Sequence, residues 1–313
     1  MSDLERRRLG KGGPEVTVLG FGAMELRGTP HRNPRPLEES IAAKVLNTVL
    51  DEGITFIDTS IDYALSEERI GTHIGARRDE YVLASKAGCP LDFQPDAPPG
   101  PLVHDYSETN IRAGVEQSLR RLRTDRLDLV QLHISPSLEV LRRDGAVATL
   151  SALRDEGKVL AFGVSSTLPA IDDHLEIDEF SAFQVPFSAL ERELESRIDL
   201  AGRRGFGIIV RGGVAQGGKR EKKNTEGRPV TFADTGLDEL RDGDSAQQFL
   251  LRYAITTPGV TTIIAGSADP QHIRANARAA RRGPLPGDIY AEAGRRLDAA
   301  GITSAVIAAP ATP

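Results

Sequence analysis

From Leu19 onward, short apolar runs alternate with longer stretches in which apolar residues recur every three or four positions. The short runs predict eight buried strands, at 19–24, 54–58, 81–86, 127–133, 159–166, 182–185, 207–211 and 261–266. The longer stretches predict helices between them. Leu37–Glu52 carries a stripe of Ile41, Val45, Leu46, Val49 and Leu50. Further helices are expected from Ser66 to about Ala76, from Ser107 with Ile111, Val115, Leu119 and Leu122 on one face, and over Glu139–Glu156. A short helix should follow 166, and others should cover Glu191–Arg203, Ala246–Ile255 and Pro270–Arg281, with an extra one at Ile289–Ala300. Ahead of the first strand, Leu4–Val18 alternates apolar positions around two glycine turns and reads as a hairpin.

Eight strands, each followed by a helix, fit an open doubly wound sheet or a closed barrel. Polar residues recur at the C-terminal ends of nearly all the strands, where a (β/α)8 TIM barrel builds its active site. The expected fold is therefore α/β: such a barrel with an N-terminal β-hairpin and long loops at its C-terminal face. A single domain over 1–313 is expected, with a core of about 4–300 and a loose tail at 301–313. Two stretches are too long for plain connectors: Ala87–Tyr106, with five prolines, and the glycine-rich, charged 216–244.

Composition narrows the class. The chain has 313 residues, 39% of them hydrophobic, and a net charge of −6. That charge gives no reason to expect nucleic acid as a partner. Cys89 is the one cysteine, which excludes an intrachain disulfide and a four-cysteine zinc site. No metal is expected. Met1–Gly13 lacks an apolar core and does not read as a secretory signal, and no apolar run spans a bilayer. A cytoplasmic protein, monomeric or a small homo-oligomer, is expected.

Four strand-end residues carry complementary chemistry: Asp58, Tyr63 just beyond the same strand, Lys86 and His133. A phenol near a lysine ammonium has its ionised form stabilised, by about 4 kcal/mol at 4 Å and an effective dielectric of 20. The expectation is a Tyr63 pKa lowered toward neutral, with Asp58 orienting Lys86 and His133 donating to a carbonyl oxygen. Such a set polarises and protonates an aldehyde or ketone and leaves the hydride to a cofactor.

The motifs Gly53-Ile-Thr-Phe-Ile-Asp58-Thr-Ser-x-Asp-Tyr63, Ala84-Ser-Lys86, Asp128-Leu-Val-Gln-Leu-His133, Gly163-Val-Ser-Ser166 and Ile264-Ala-Gly-Ser267 resemble the aldo-keto reductase superfamily, in order from about Arg8 to Asn276. The resemblance implies carbonyl reduction with a nicotinamide cofactor, usually NADPH. It implies Tyr63 as proton donor, Lys86 and Asp58 as its tuning pair, and His133 as the residue that orients substrate.

It also implies a cofactor track. Ser165 and Gln184 match contacts to the nicotinamide carboxamide, and Ser166 stands where asparagine is common. Arg211 replaces an aromatic found in many members, and Gly212, Gly213, Val214, Ala215 and Gly217 lead into the loop over the pyrophosphate. The run Lys219-Arg220-x-Lys222-Lys223 lies in that loop. Ser267 and Asn276 match positions for the 2′-phosphate and adenine, while Gly266 and His272 replace a frequent lysine and arginine, and Ala275 lacks a frequent carboxylate. Those replacements leave NADH possible beside NADPH. The substrate, a small-molecule carbonyl of medium size, should meet Met24, Glu25, Cys89, Asp92, Phe93 and Ile134-Ser135-Pro136. Two alternatives remain open: an alcohol or sugar dehydrogenase running in the oxidative direction, and a cofactor-sensing regulatory subunit.

Overall fold

A computed structural model of the chain describes residues 3–28, 36–91, 103–214, 222–223, 227 and 229–307. Eight parallel strands close into a barrel: β3 (Leu19–Gly22), β4 (Phe56–Asp58), β5 (Val82–Ala87), β6 (Leu127–Leu132), β7 (Val159–Ser165), β8 (Ala182–Pro186), β9 (Gly207–Arg211) and β12 (Thr262–Ala265). They run around the barrel in chain order, and β12 closes it against β3. The expected hairpin is present as β1 (Arg6–Arg8) paired antiparallel to β2 (Glu15–Thr17). Leu9 and Val16 of this hairpin join the interior of the barrel and plug its N-terminal end.

The apolar residues form two groups. One lies between the strands and the surrounding helices. The other lies inside the barrel and holds Phe56, Ala84, Leu129, Ala182 and Ile209. Side chains on a strand alternate between faces, so the residue two positions further on points the same way. Two residues beyond those five stand Asp58, Lys86, Gln131, Gln184 and Arg211. The interior is thus apolar in its middle and polar at its C-terminal mouth, and the strand period alone puts these five side chains around one opening. Gly20 makes room below: a Cβ there would stand 2.8 Å from the Phe56 ring.

Helices α1 (Glu39–Asp51), α2 (Ser66–His73), α3 (Glu108–Leu122), α4 (Leu138–Asp144), α5 (Ala146–Asp155), α6 (Ile171–His174), α7 (Glu195–Arg203), α8 (Ala246–Thr256), α9 (Pro270–Arg281) and α10 (Gly287–Ala299) surround the barrel. Their starts follow capping chemistry. Ser107 accepts from the Asn110 amide, and Ser245 and Gln248 form a reciprocal capping box. No helix among the described residues is long and apolar enough to cross a membrane.

Several expectations change. The helix expected over Glu139–Glu156 is two helices, because Gly145 takes φ 65° and turns the chain between α4 and α5. The first strand stops at Gly22 and continues as a 3-10 turn over Ala23–Leu26. Helix α7 starts four residues later than expected, after a bridge between Ser188 and Glu191. The charged 216–244 segment contains a two-residue antiparallel pair, β10 (Lys222–Lys223) with β11 (Pro229–Val230), and 3-10 turns at Ala233–Thr235 and Leu237–Leu240. The tail is tied down as far as Val306. The buried Arg197 donates to the Ala305 carbonyl at 2.6 Å and the Val306 carbonyl at 3.2 Å, and it pairs with Asp172.

Candidate active site

The C-terminal mouth of the barrel opens into a cavity of about 470 Å³ lined by Gly22, Met24, Glu25, Asp58, Tyr63, His133, Ile134, Ser135, Ser165, Thr167, Gln184, Arg211, Gly212, Ile264 and Gly266. Its volume is that of a small-molecule site. At its floor Asp58 is 2% exposed and Lys86 1%. One carboxylate oxygen, Asp58 Oδ1, accepts from the Lys86 ammonium, from Gln131 Nε2 at 2.8 Å and from Gln184 Nε2 at 2.9 Å. Lys86 also donates to the Thr59 carbonyl at 3.1 Å. A buried ion pair costs desolvation, and the extra donors offset part of that cost while fixing its orientation.

Tyr63 and His133 stand above this floor with ring centroids 6.3 Å apart, edge to face. Burial first, and then the negative charges of Asp58 and Asp62, raise the Tyr63 phenol well above its ordinary value; Arg211 acts in the opposite direction. This reverses the expectation from sequence. The Lys86 charge is engaged by Asp58 and the Thr59 carbonyl, so burial and the carboxylates govern the phenol. Burial likewise drives the His133 imidazole down to about 4, against the pull of Asp62, so it is neutral at neutral pH. Its Nδ1 lies 3.2 Å from Cys89 Sγ and 3.5 Å from Asp62 Oδ2. The Tyr106 hydroxyl donates to the His133 carbonyl.

The backbone just after Tyr63 and His133 is unusual. Ile134 and Ser135 take φ 63° and 47°, and Ala64, next to Tyr63, takes φ 41°. Left-handed backbone at non-glycine residues is strained, and here it clusters at the cavity. Two hydrogen bonds hold the turn: the Ser135 amide to the Ser165 carbonyl at 2.8 Å, and the Thr167 amide to Ser135 Oγ at 3.1 Å.

The model of the aldo/keto reductase family matches residues 18–293. The chain belongs to the aldo/keto reductase family. It is 28% identical over 294 residues to the uncharacterized oxidoreductase YqkF of Bacillus subtilis, covering 88% of this chain and 91% of that one. It is 33% identical over 172 residues to a D-threo-aldose 1-dehydrogenase of a Pseudomonas species, covering 49% and 51%. Among solved structures, the holo form of the aldo-keto reductase AKR11C1 from Bacillus halodurans aligns with a TM-score of 0.80 and 28% identity, covering 94% and 96%. The chain is therefore an oxidoreductase of carbonyl and alcohol chemistry, with the (β/α)8 barrel of that family.

Within this family barrel the expected residues fall into groups. Asp58, Tyr63 and His133 line the cavity, while Lys86 does not line it and is paired with Asp58. Ser165, Gln184, Arg211, Gly212 and Gly266 line it, and so do Met24 and Glu25. Ser166 does not: fully buried, its hydroxyl pairs with His174 Nδ1 at 2.8 Å behind the wall. Gly213 is buried against Ile263, where a Cβ would stand 2.3 Å from that side chain, and Val214 packs on the core. Cys89 is buried under His133 and does not line the cavity. Ser267 precedes α9, and His272 and Asn276 lie on its first and second turns. Ser267 Oγ accepts from the Asp269 amide at 3.0 Å, and Asn276 accepts from Gln247 at 2.9 Å. Gly217, Ala215, Asp92 and Phe93 lie outside the described residues.

Four cavity or floor residues are not among the site residues expected from sequence: Gln131, Gly22, Thr167 and Ile264. The alternation that marks Leu129 as inward-facing marks Gln131 too, two positions on. Thr167 carries no such signal, since it lies beyond the strand and reaches the wall through the strained turn at Ser135.

Proposed function

We propose that this chain is a cytoplasmic NADPH-dependent reductase of aldehydes or ketones in which Tyr63 is the general acid. The observation that carries the reading is the convergence of Tyr63 and His133 on one cavity, above the buried Asp58–Lys86 pair. Tyr63 stays protonated at neutral pH, which is the form that gives a proton to a carbonyl oxygen as the alcohol forms. Neutral His133 offers an N–H to the same oxygen and orients the carbonyl. Asp58 holds the Lys86 ammonium in place beneath the phenol.

The donor set fits a nicotinamide cofactor on the opposite wall. Gly22, Gly212 and Gly266 leave that wall bare of side chains, and a Cβ on Gly266 would stand 2.6 Å from the Gly22 carbonyl oxygen. Ser165 and Gln184 offer polar groups for a carboxamide, Arg211 a cation, and Ser267, His272 and Asn276 the adenosine end. When bound, the reduced nicotinamide supplies hydride. Asp269 caps α9 with its carboxylate, 3.9 Å from His272. That negative charge opposes a 2′-phosphate and favours NADH as a second reading.

The name of the aldose dehydrogenase relative supports oxidation of a sugar or alcohol as the reverse use of the same residues. Steady-state assays of aldehydes and alcohols with both cofactors test the proposal. Tyr63→Phe should lower kcat by roughly 10²–10⁴-fold with cofactor affinity unchanged. Full activity in that variant would remove Tyr63 as the acid.

A further inference from the structure

Around the cavity residue His133, the side chains of Asp62, Cys89, His104 and His133 each offer one ligand atom, and all four atoms lie within 4.8 Å of one another. We propose that these four side chains form a binding site for one zinc-class divalent cation. The residues come from three segments, Asp62 after β4, Cys89 and His104 on the long loop after β5, and His133 after β6, and they match no short ligand motif in the sequence. Their geometry marks the site. Zinc bonds of about 2.0–2.3 Å to nitrogen, oxygen and sulfur place neighbouring ligand atoms of a tetrahedron roughly 3.3–3.7 Å apart. Cys89 Sγ to His133 Nδ1 measures 3.2 Å, and His133 Nδ1 to Asp62 Oδ2 measures 3.5 Å.

The surroundings hold the ligands in position. Ser60 Oγ donates to Asp62 Oδ1, which leaves Oδ2 toward the cluster, and lies 3.5 Å from Cys89 Sγ. The Cys89 carbonyl accepts from Asn110 Nδ2 at 3.2 Å, and the His133 carbonyl from the Tyr106 hydroxyl. The bond to Asp62 Oδ1 orients a ligand carboxylate, and the two carbonyl bonds fix the backbone of Cys89 and His133. One thiolate and one carboxylate offset a divalent charge, and two neutral imidazoles complete four ligands. Sulfur and imidazole select zinc or cobalt over magnesium or calcium. On binding, the sulfur–metal bond forms as the Cys89 thiol proton leaves to solvent. A metal on Nδ1 leaves the hydrogen of His133 on Nε2, so the ion and the cavity share that ring.

The experiment uses the full chain without an affinity tag and without nucleotide or substrate, so its outcome is separate from that of the redox reading. Cobalt(II) is titrated by absorbance and zinc by calorimetry. One ion per chain should bind, with thiolate-to-cobalt charge transfer and the intense visible bands of tetrahedral cobalt. Cys89→Ser should abolish the charge-transfer band, and His104→Gln should weaken zinc by about 100-fold or more. Melting curves without metal check that each variant folds, and His104→Gln carries the test if Cys89→Ser does not. Absence of stoichiometric uptake by the native chain, or equal uptake by His104→Gln, overturns the proposal.

Discussion

Gln131 Nε2 lies 2.8 Å from Asp58 Oδ1, the same oxygen that takes the Lys86 ammonium. The other amide atom, Gln131 Oε1, is buried without a hydrogen-bond partner. A donor to a charged group contributes about 1.5–3 kcal/mol, and an orphaned buried acceptor costs about 1–3 kcal/mol. Gln131→Met removes both, so the two effects nearly cancel in stability. Asp58 loses a donor that fixes its orientation, and kcat should fall about tenfold, or about 1.4 kcal/mol in the barrier. Urea denaturation beside steady-state rates checks the split. A large stability loss with normal kcat would make Gln131 a packing residue.

The Asp58–Lys86 pair predicts a different pattern. Both groups are almost wholly buried, so removing one leaves the other charge uncompensated, at about 3–5 kcal/mol. Asp58→Leu and Lys86→Met should each lose about that much in denaturation midpoints converted to free energy. The double variant should be more stable than either single one, because it leaves no buried charge. It should also be inactive. Additive losses in the double variant would contradict the ion-pair account.

Much of this was legible in the sequence, and the reason is the strand period. Apolar residues at Phe56, Ala84, Leu129, Ala182 and Ile209 mark the interior, and polar residues two positions on mark the mouth. The same regularity locates Asp58, Lys86 and Gln184 without coordinates. What it could not give was partnership. Ser166 and Ser165 are neighbours on opposite faces of the chain, and only the packing of α6 shows that Ser166 belongs to His174. The phenol of Tyr63 went the other way from expectation because pKa depends on which charges are already paired. Gly145 split a helix whose apolar stripe continues on both sides of it. The long segments at 92–102 and 215–221 lie outside the described residues.

His174 predicts a pH dependence of stability. Its Nε2 lies 2.7 Å from the Pro136 carbonyl, which can only accept, so Nε2 carries the hydrogen and Nδ1 accepts from Ser166. Burial lowers its pKa below the ordinary 6.5, against the hydrogen bond to Pro136. The unfolded chain then binds a proton that the folded chain refuses as pH falls below the unfolded value. His174 should therefore cost stability on acidification from about pH 6.5 down to its folded pKa, by up to about 1.4 kcal/mol per pH unit. Guanidinium melts at pH 7 and pH 5 measure the slope. His174→Gln should be less stable at pH 7 and show a shallower slope; an unchanged slope would place the titration elsewhere.

Two facing glycines on the cavity wall should respond unequally to the same change. A Cβ on Gly22 would meet Ile264 and Gly266 at 3.7–3.8 Å, which is ordinary contact. A Cβ on Gly266 would stand 2.6 Å from the Gly22 carbonyl oxygen, and backbone cannot yield there without parting β12 from β3. Gly22→Ala should therefore stay within about 1 kcal/mol of the native stability, since no overpacking arises. Gly266→Ala should lose about 1–3 kcal/mol, as overpacked sites do. If the wall receives the cofactor, Gly266→Ala should also weaken nicotinamide nucleotide binding by about tenfold, or 1.4 kcal/mol, read by fluorescence titration. Equal tolerance at the two positions would show that the close approach of the strands is not what keeps this wall bare.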